Sequence, residues 1–358
     1  MSQEMNAAVF KAAHDVRVER VPVPTVREAG DAVVRIAAAG ICGSDLWGYR
    51  GIEPVEAGQV LGHEWLGVVE DVGTAVETLR PGDLVLAPFW SLDGTCPACQ
   101  RGQSTLCDRG GAWGFGIDVG GGQAQAIRVP FPDATLIRLP KGMNLDVAML
   151  QRLVALTDVM PTGHHAALCA GVEKDSTVLV VGDGAVGLCA VLAARRLGAG
   201  RVLIVGRHEE RLRVAVEFGA DVTLRDDDDA FEGVREHAGG GADAVLECVG
   251  TKDALDLAVR CVRSGGGIGY VGMPTMNPTL SVSQLFERSI SFRGGFTPAR
   301  EYIPDLLSDV LDGSLDPSPI FSHQVDLAHV ADGYRLMDER TAIKVLVLPD
   351  WLPTTRPG

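Results

Sequence analysis

The strongest constraint on the fold is a glycine-rich turn that directly follows an apolar run. Residues 178–181 read VLVV and residues 182–187 read GDGAVG. A strand, a turn of this form and a helix make up the phosphate-binding end of a dinucleotide-binding βαβ unit, although an ordinary glycine turn is the alternative. Gly182 makes the tight turn, Gly184 lets the backbone approach a pyrophosphate, and Gly187 lets the helix pack against the strand. The predicted helix begins with Ala185 and Val186. The free N–H groups at the start of such a helix face the phosphates.

The rest of the chain shows two kinds of pattern. Strands and helices alternate through residues 156–294, which predicts a doubly wound parallel sheet of the Rossmann type. The first third has short alternating segments separated by turn residues, which indicates an antiparallel, β-rich unit. The predicted fold class is therefore α/β, with a β-rich domain and a Rossmann domain. The segments behind this prediction are strands 31–36, 68–72, 83–87, 178–181, 201–205, 243–249, 267–272 and 344–348 and helices 185–198 and 208–218.

Charge and composition exclude several classes of protein. With a formal net charge of −15, the chain lacks the basic face that nucleic acid or an anionic membrane requires. Glu4 lies where a signal peptide carries basic residues, and the longest small-apolar stretch, 184–194, is too short to span a bilayer. The eight cysteines do not form the framework of a secreted disulfide protein. We therefore expect a cytoplasmic protein, and we interpret the acidic run 226–229 as a solvated loop.

Cofactor choice depends on the end of the second strand of the dinucleotide unit. An acid there binds the ribose hydroxyls of NAD and repels the 2′-phosphate of NADP. This chain has Gly206 at that position, followed by Arg207 and then Arg211. Glycine leaves room and guanidinium groups suit a phosphate, so the sequence favours NADP(H) over NAD(H). If both arginines are only solvated charges, the chain would use both cofactors.

A second constellation lies in the β-rich part of the chain. Residues 40–45 read GICGSD and residues 62–64 read GHE, so that Cys42 and His63 each lie beside glycine. Thiolate and imidazole are ligands that zinc prefers. Together with the glycine-rich turn, these motifs resemble the zinc-dependent alcohol dehydrogenases of the medium-chain dehydrogenase/reductase superfamily over essentially the whole chain. The resemblance implies a GroES-like catalytic domain, residues 1–155 and 295–358, into which the Rossmann domain, residues 156–294, is inserted.

The resemblance also implies a catalytic zinc site. Cys42, His63 and Asp158 match the family's three ligands and leave the fourth position open, which is the arrangement of a catalytic zinc. Glu64, next to His63, is able to coordinate transiently. Asp45 would accept a hydrogen bond from the free nitrogen of His63, although a simple turn residue is the alternative.

A proton relay follows from the same resemblance. Ser44 matches the family's relay hydroxyl, which passes the alcohol proton outward. Several relatives have a histidine three residues further on, where this chain has Trp47, so the relay must end differently, through the ribose hydroxyl and water or a nearby side chain. Aromatic residues that would line a substrate pocket, or equally pack in the core, are Trp47, Phe89, Trp90 and Trp113.

A cluster of cysteines resembles the family's structural zinc lobe. Cys96, Cys99 and Cys107 match the second, third and fourth ligands of the C-x2-C-x2-C-x7-C pattern, but the first position holds Asp93. A carboxylate is an acceptable zinc ligand, so the four residues would make a closed site. Alternatively, Asp93-Gly94 is only a turn and the lobe binds zinc poorly or not at all. The spacing of the three cysteines favours the metal site. The remaining cysteines, interpreted as small core residues, are Cys169, Cys189, Cys248 and Cys261.

Further cofactor contacts follow from the resemblance alone. They are Thr162 under the nicotinamide, Val249 and Val271 at later strand ends, and Lys344 toward the pyrophosphate. Each is equally consistent with packing or, for Lys344, with a surface charge.

The predicted function is hydride transfer between an alcohol or carbonyl substrate and NADP(H), with zinc as Lewis acid. Within the same superfamily, a polyol, amino-alcohol or sugar-alcohol dehydrogenase is the alternative. A different class is a non-catalytic NADP-binding sensor, which loss of a metal ligand would have favoured. The expected partner is a small molecule, and family members commonly form homodimers or homotetramers.

Overall fold

The computed structural model describes residues 3–115, 119–274 and 277–349. The chain forms two compact units, one of residues 1–158 with 298–358 and one of residues 159–297. Each border lies three residues further along the chain than the sequence predicts. Asp158 therefore belongs to the first unit, whereas the predicted border placed it in the Rossmann domain.

The strands lie in both units. They are β1 (Glu4–Ala12), β2 (Asp15–Pro22), β3 (Asp31–Ile41), β4 (Trp65–Val72), β5 (Leu84–Ala87), β6 (Trp90–Ser91), β7 (Gly111–Ala112), β8 (Ala126–Pro130), β9 (Ile137–Arg138), β10 (Thr177–Val181), β11 (Arg201–Gly206), β12 (Val222–Arg225), β13 (Ala242–Glu247), β14 (Val262–Tyr270), β15 (Ser291–Gly294), β16 (Phe321–Asp326) and β17 (Lys344–Leu348).

The α-helices are mostly short in the first unit and longer in the second. They are α1 (Asp45–Tyr49), α2 (Pro97–Gln100), α3 (Pro132–Thr135), α4 (Val147–Ala155), α5 (Val159–Ala170), α6 (Ala185–Arg196), α7 (Glu209–Glu217), α8 (Ala230–His237), α9 (Lys252–Cys261), α10 (Val282–Glu287), α11 (Ala299–Asp312) and α12 (Val330–Asp338). Among the described residues, none of the helices combines the length and the apolar character needed to cross a membrane.

The first unit contains the β-rich part of the chain. Its main sheet has the order β16-β17-β3-β4-β5-β9, and β8 also pairs with β3. Most neighbours are antiparallel, including β3 with β4 and β4 with β5, as the short alternating segments predict. Large side chains fill the core beneath this sheet, among them Trp65, Trp113 and Tyr334, which are each 0% exposed. The predicted β-rich domain is confirmed.

The second unit is the Rossmann domain. Its six strands have the order β12-β11-β10-β13-β14-β15 and every neighbouring pair is parallel. The strand order reverses at β10, because the chain moves first to β11 on one side and later to β13 on the other. In sheets of this kind ligands bind at the carboxyl ends of the strands beside such a reversal. The glycine-rich turn follows β10 at this point.

The local geometry of that turn agrees with the roles predicted for its glycines. Gly182 has a φ of +110°, in the region that favours glycine. A Cβ on Gly187 would overlap the carbonyl oxygen of Gly182, so only glycine allows the helix to lie this close to the strand. A Cβ on Gly184 would meet no atom within 4 Å, which leaves its surroundings open.

Other sequence predictions differ from the structure mainly at element ends. The strand predicted over 243–249 ends at Glu247, so Val249 lies in the following loop, and the strand predicted over 267–272 is Val262–Tyr270. The predicted interpretation of the remaining cysteines holds for Cys169, Cys189 and Cys261, which are buried, whereas Cys248 is half-buried. All eight cysteines are among the described residues, and none of them forms a disulfide.

Candidate metal centre and nucleotide site

Four metal-binding side chains converge at one edge of the main sheet of the first unit. Cys42 directly follows β3, His63 and Glu64 directly precede β4, and Asp158 follows α4. The antiparallel register pairs Ala39 with Trp65, which brings the end of β3 beside the start of β4. One ligand atom from each of the four residues lies within 4.8 Å of the others, and all four residues are buried.

The donor set fits zinc. The Cys42 Sγ lies 3.3 Å from Asp158 Oδ2, and the His63 Nε2 lies 3.2 Å from the same oxygen. Burial raises the pKa of the Cys42 thiol to about 11, and the carboxylates of Asp158 and Glu64 add to the effect. A divalent cation offsets such a penalty because it stabilises a thiolate and a carboxylate together. Sulfur, imidazole nitrogen and carboxylate oxygen are the ligands of a catalytic zinc.

Asp45 lies behind His63, where the sequence places it. Its Oδ1 is 3.2 Å from His63 Nδ1, and its Oδ2 accepts the backbone N–H of Cys42 at 2.9 Å. Burial lowers the pKa of His63, but Asp45, followed by the hydrogen bonds with Asp158 and Asp45, raises it well above its usual value. The carboxylate thus fixes both the imidazole and the backbone that carries the thiol.

Two buried residues that the sequence analysis missed support Asp45. Gln123 Nε2 lies 3.4 Å from Asp45 Oδ2 and donates to the carbonyl oxygen of Gly40 at 3.0 Å. The hydroxyl of Tyr334 donates to Gln123 Oε1 at 2.8 Å. Gln123 and Tyr334 are 211 residues apart, and neither lies in a motif. A buried polar residue without a local partner is the only signal that could have identified them.

Glu64 forms a fully buried ion pair with Lys344. The Lys344 Nζ lies 2.6 Å from Glu64 Oε1 and 3.3 Å from the carbonyl oxygen of Ile41. Both side chains are at most 1% exposed. Burial lowers the pKa of Lys344, but the Glu64 carboxylate outweighs this and raises it, so the amine stays protonated. Gly40 makes room, because a Cβ there would collide with Glu64 Oε2.

This pairing changes the interpretation of Lys344. The family resemblance implied an ammonium that faces a pyrophosphate, with packing or a surface charge as the alternatives. The surface alternative is wrong, since Lys344 is 1% exposed. The partner that the structure gives to Lys344 is a residue of the metal cluster, Glu64, so its predicted contact with pyrophosphate stays a prediction.

Ser44 and several aromatic side chains surround His63. The Ser44 Oγ lies 3.4 Å from His63 Nε2. The rings of Phe89 and Phe115 lie 6.4 and 6.2 Å from the imidazole. Phe115 was missed by the sequence analysis. Both rings place apolar surface near the imidazole.

The other predicted pocket residues have different environments. Trp113 packs against Trp65 at 5.4 Å and donates its Nε1–H to the Pro88 carbonyl, so for this residue the core-packing alternative is correct. Trp90 lies edge-on to Phe89 at 6.3 Å. Trp47 is half-buried in α1.

The second cluster is formed within one short loop. Asp93, Cys96, Cys99 and Cys107 each place one ligand atom within 4.8 Å of the others. Asp93 Oδ1 accepts the backbone N–H groups of Thr95 and Cys96 at 2.8 and 3.0 Å. Burial works to raise the pKa of Asp93, but these N–H groups outweigh it and lower the pKa to about 2. Asp93 therefore holds the turn and also places a carboxylate beside the three cysteines, and zinc binding at this cluster stays a prediction.

The residues predicted to contact the dinucleotide lie in the second unit, apart from Lys344. Gly184 caps the N-terminus of α6 with no side-chain hydrogen bond, which leaves the first N–H groups of the helix for a ligand. Thr162 is buried in α5. The backbone N–H groups of Val249 and Val271 bind Glu247, through its carboxylate at 2.8 Å and its carbonyl at 2.9 Å.

The end of β11 differs from the sequence-based expectation. Gly206 was expected to leave room, but Asp183 fills that space: a Cβ on Gly206 would lie 2.6 Å from the Cβ of Asp183. Arg207 Nε donates to Asp226 at 2.6 Å, and an Arg211 nitrogen lies 3.9 Å from Asp183 Oδ1. The two arginines are therefore paired with acids, although Arg207 and Asp226 lie on the surface. The acidic run 226–229 is exposed, as predicted.

Comparison with known proteins identifies the family. The model of the alcohol dehydrogenase GroES-like domain matches residues 28–141, and that of the zinc-binding dehydrogenases matches residues 185–312. Zinc-type alcohol dehydrogenase B of Aspergillus flavus is 32% identical, over 96% of this chain and 81% of its own length.

Solved structures agree with the family models. Alcohol dehydrogenase TADH from Thermus sp. ATN1 superimposes with a TM-score of 0.90 at 36% identity, covering 96% of this chain and all of that one. A protein of Sinorhizobium meliloti 1021 assigned as a zinc-binding dehydrogenase and solved with NADP has a TM-score of 0.84 at 26% identity, covering 97% and 100%. The chain belongs to the zinc-dependent alcohol dehydrogenase family of the medium-chain dehydrogenase/reductase superfamily.

Proposed function

We propose that the protein oxidises an alcohol or reduces the matching carbonyl compound, with hydride passing to or from NADP(H). The observation that carries this proposal is the buried convergence of Cys42, His63 and Asp158. These three residues would hold a zinc ion, which supplies Lewis-acid polarisation of the substrate oxygen. Glu64, as the fourth donor of the cluster, would bind transiently.

The chain's own residues orient the reaction and carry the proton. Asp45 holds the His63 ring through Nδ1, so that Nε2 points to the cluster. We assign the outward proton transfer to the Ser44 hydroxyl, which lies 3.4 Å from His63 Nε2 and is thus beside the ligands. Trp47 has no group that exchanges protons near neutral pH, so the relay continues to a ribose hydroxyl and water. Phe89 and Phe115 exclude water from one side.

Arg207 supports a preference for NADP. A guanidinium has five N–H donors, and one of these, the Nε–H of Arg207, donates to Asp226. The side chain is 61% exposed, so its terminal N–H groups can reach a 2′-phosphate. The NADP found in the Sinorhizobium meliloti relative supports the same choice.

The second cluster is proposed as a structural zinc site. Asp93, Cys96, Cys99 and Cys107 provide four ligands and leave no position for a substrate, which is the closed arrangement of structural zinc. In this role the metal would cross-link the loop from residue 93 to residue 107. We also propose, from the family resemblance, a homodimer or homotetramer in the cytoplasm, which light scattering and cell fractionation would test.

Turnover with a panel of substrates tests the proposed function. Benzyl alcohol, 1-hexanol, sorbitol and an amino alcohol are offered with NADP or NAD, and reduced cofactor is followed by absorbance. We expect turnover of at least one alcohol, faster with NADP, and a loss in kcat of about 10²-fold or more in Ser44→Ala. Turnover of sorbitol alone would favour the polyol alternative. A zinc-loaded protein that binds NADPH but converts no alcohol or carbonyl compound would contradict the proposal and favour the sensor.

A further inference from the structure

The glycine-rich turn carries an acid whose position is unexpected. Asp183 lies between Gly182 and Gly184 and is 7% exposed. A Cβ built on Gly206 would lie 2.6–2.9 Å from the Cβ, Cγ and Oδ2 of Asp183. The Asp183 carboxylate therefore occupies the space that a side chain at residue 206 would fill. In NAD-binding Rossmann domains, that side chain is the acid that binds the adenine ribose.

Hydrogen bonds fix the Asp183 carboxylate at the carboxyl end of β11. Its Oδ2 accepts the backbone N–H groups of Arg207 and His208, each at 2.7 Å. His208 Nδ1 lies 3.0 Å from the same oxygen. The two backbone N–H groups use the two lone pairs of Oδ2. His208 Nδ1 is shared with Oδ1 at 3.3 Å, and the Arg211 nitrogen at 3.9 Å lies beyond hydrogen-bond distance. Oδ1 therefore retains a lone pair that can accept from a ribose hydroxyl.

The same carboxylate changes the electrostatics around the two arginines. Arg211 faces Asp183, and Arg207 faces Asp226. The positive charge available to a 2′-phosphate is therefore partly offset. Asp183 is also far less exposed than Asp226, whose side chain is 35% exposed. Interactions of a buried charge are weakened less by water and salt, so we expect the larger effect from Asp183.

We propose that Asp183 determines how strongly the protein discriminates between the two dinucleotides. Its Oδ1 accepts a hydrogen bond from the adenine ribose of NAD, and its charge repels the 2′-phosphate of NADP. Asp183 thus supplies from the glycine-rich turn the acid that the second strand lacks. It limits the preference for NADP that Arg207 provides, and it keeps NAD usable. This inference rests on the proposed dinucleotide site and deepens it.

The proposal is tested by calorimetry with two fragments of the dinucleotide that lack the nicotinamide ring. ADP-ribose and its 2′-phosphorylated form are titrated into the parent protein, Asp183→Asn and Asp256→Asn. The asparagine keeps an oxygen for the N–H groups of Arg207 and His208 but removes the charge. Asp256 forms an exposed pair with Lys252 on α9, so its variant is a matched control for the loss of one negative charge.

The two fragments must respond in opposite directions. We expect Asp183→Asn to bind the 2′-phosphorylated fragment about tenfold more tightly, because a charge a few ångströms away is removed. ADP-ribose should bind about threefold or more weakly, through loss of a charged acceptor. Asp256→Asn should change neither affinity by more than about twofold.

Two results would overturn the proposal. One is that neither affinity changes in Asp183→Asn, and the other is a parallel loss of both, which would mean that Asp183 only holds the turn. Asp183→Ser, which also lacks the charge, must shift the ratio in the same direction if the asparagine variant does not fold. Because these fragments bind without zinc or alcohol, an inactive enzyme does not affect the outcome. A parent protein that binds neither fragment would contradict the dinucleotide site itself.

Discussion

The two candidate metal clusters of the GroES-like domain are assembled in different ways. The cluster of Cys42, His63, Glu64 and Asp158 brings together residues up to 116 positions apart. The cluster of Asp93, Cys96, Cys99 and Cys107 lies within one loop, and Cys107 is 14 positions from Asp93. The first cluster therefore exists only when β3 and β4 are paired, whereas local turns bring the second together.

The surroundings of the two clusters differ as well. Around the first, buried side chains hold the cluster: Asp45, itself contacted by Gln123, holds His63, and Lys344 holds Glu64. Around the second, backbone N–H groups hold Asp93. Supporting side chains keep a site in one geometry while substrate binds and leaves. This difference fits the proposal that the first cluster serves chemistry and the second serves stability.

Removal of the Cys42 thiolate should have the largest effect. In Cys42→Ala we expect kcat/KM to fall by about 10³-fold or more, because Lewis-acid activation by zinc contributes several kcal/mol to the transition state. Steady-state kinetics with zinc analysis checks this. Cys169→Ala removes a buried thiol outside both clusters, so this variant is the control and should retain its zinc. Full activity in a Cys42→Ala protein without zinc at this site would contradict the assignment.

Removal of the Lys344 ammonium should cost the most stability. In Lys344→Met the Glu64 carboxylate loses its buried partner, so the free energy of unfolding should fall by about 3–5 kcal/mol. Urea denaturation measures the change. Lys252→Met breaks an exposed pair with Asp256 and should cost no more than about 1 kcal/mol. Equal effects of the two variants would mean that the buried pair contributes no more than a surface pair.

Changes in the second cluster should affect stability more than activity. In Cys99→Ser, loss of the cross-link should lower the free energy of unfolding by about 2–3 kcal/mol, by analogy with a cross-link that closes a loop of this length. The kcat of the folded protein should change by less than about threefold. Asp93→Cys, which completes four thiolates, should instead retain zinc longer against a chelator. A loss of activity without a loss of stability in Cys99→Ser would reverse the roles of the two clusters.

Asp45→Asn should have the smallest effect of this set. The asparagine can still hydrogen-bond His63 but lacks the charge, so zinc affinity at the first cluster should fall by about 10–100-fold. Competition with a zinc chelator measures this affinity. The second cluster should keep its affinity in the same protein. Equal weakening at both clusters would indicate a general loss of structure.

The sequence predicted those parts of the molecule that are marked by a local pattern of residues. The apolar run before Gly182 and the alternating strands identify both domains, because each pattern fits within one element. The resemblance supplied Cys42, His63 and Asp158, which the structure then placed together. Gln123 and Tyr334 were missed because their contacts to the cluster depend on long-range folding.

Gly206 shows the limit of one-dimensional analysis most clearly. The sequence reveals that no acid stands at this position, but it does not reveal what fills the space. In the structure Asp183, 24 residues away from Arg207 in the chain, supplies a carboxylate there. Lys344 is a similar case, since its partner Glu64 lies 280 residues away.

The zinc content of three proteins tests the central claim most directly. Mass spectrometry of metals in the purified parent, His63→Ala and Asp93→Ala, together with activity, counts the ions at each cluster. The account predicts two zinc ions per chain in the parent and one in each variant, with activity lost in His63→Ala and retained in Asp93→Ala. One zinc ion in the parent, or two in Asp93→Ala, would contradict it.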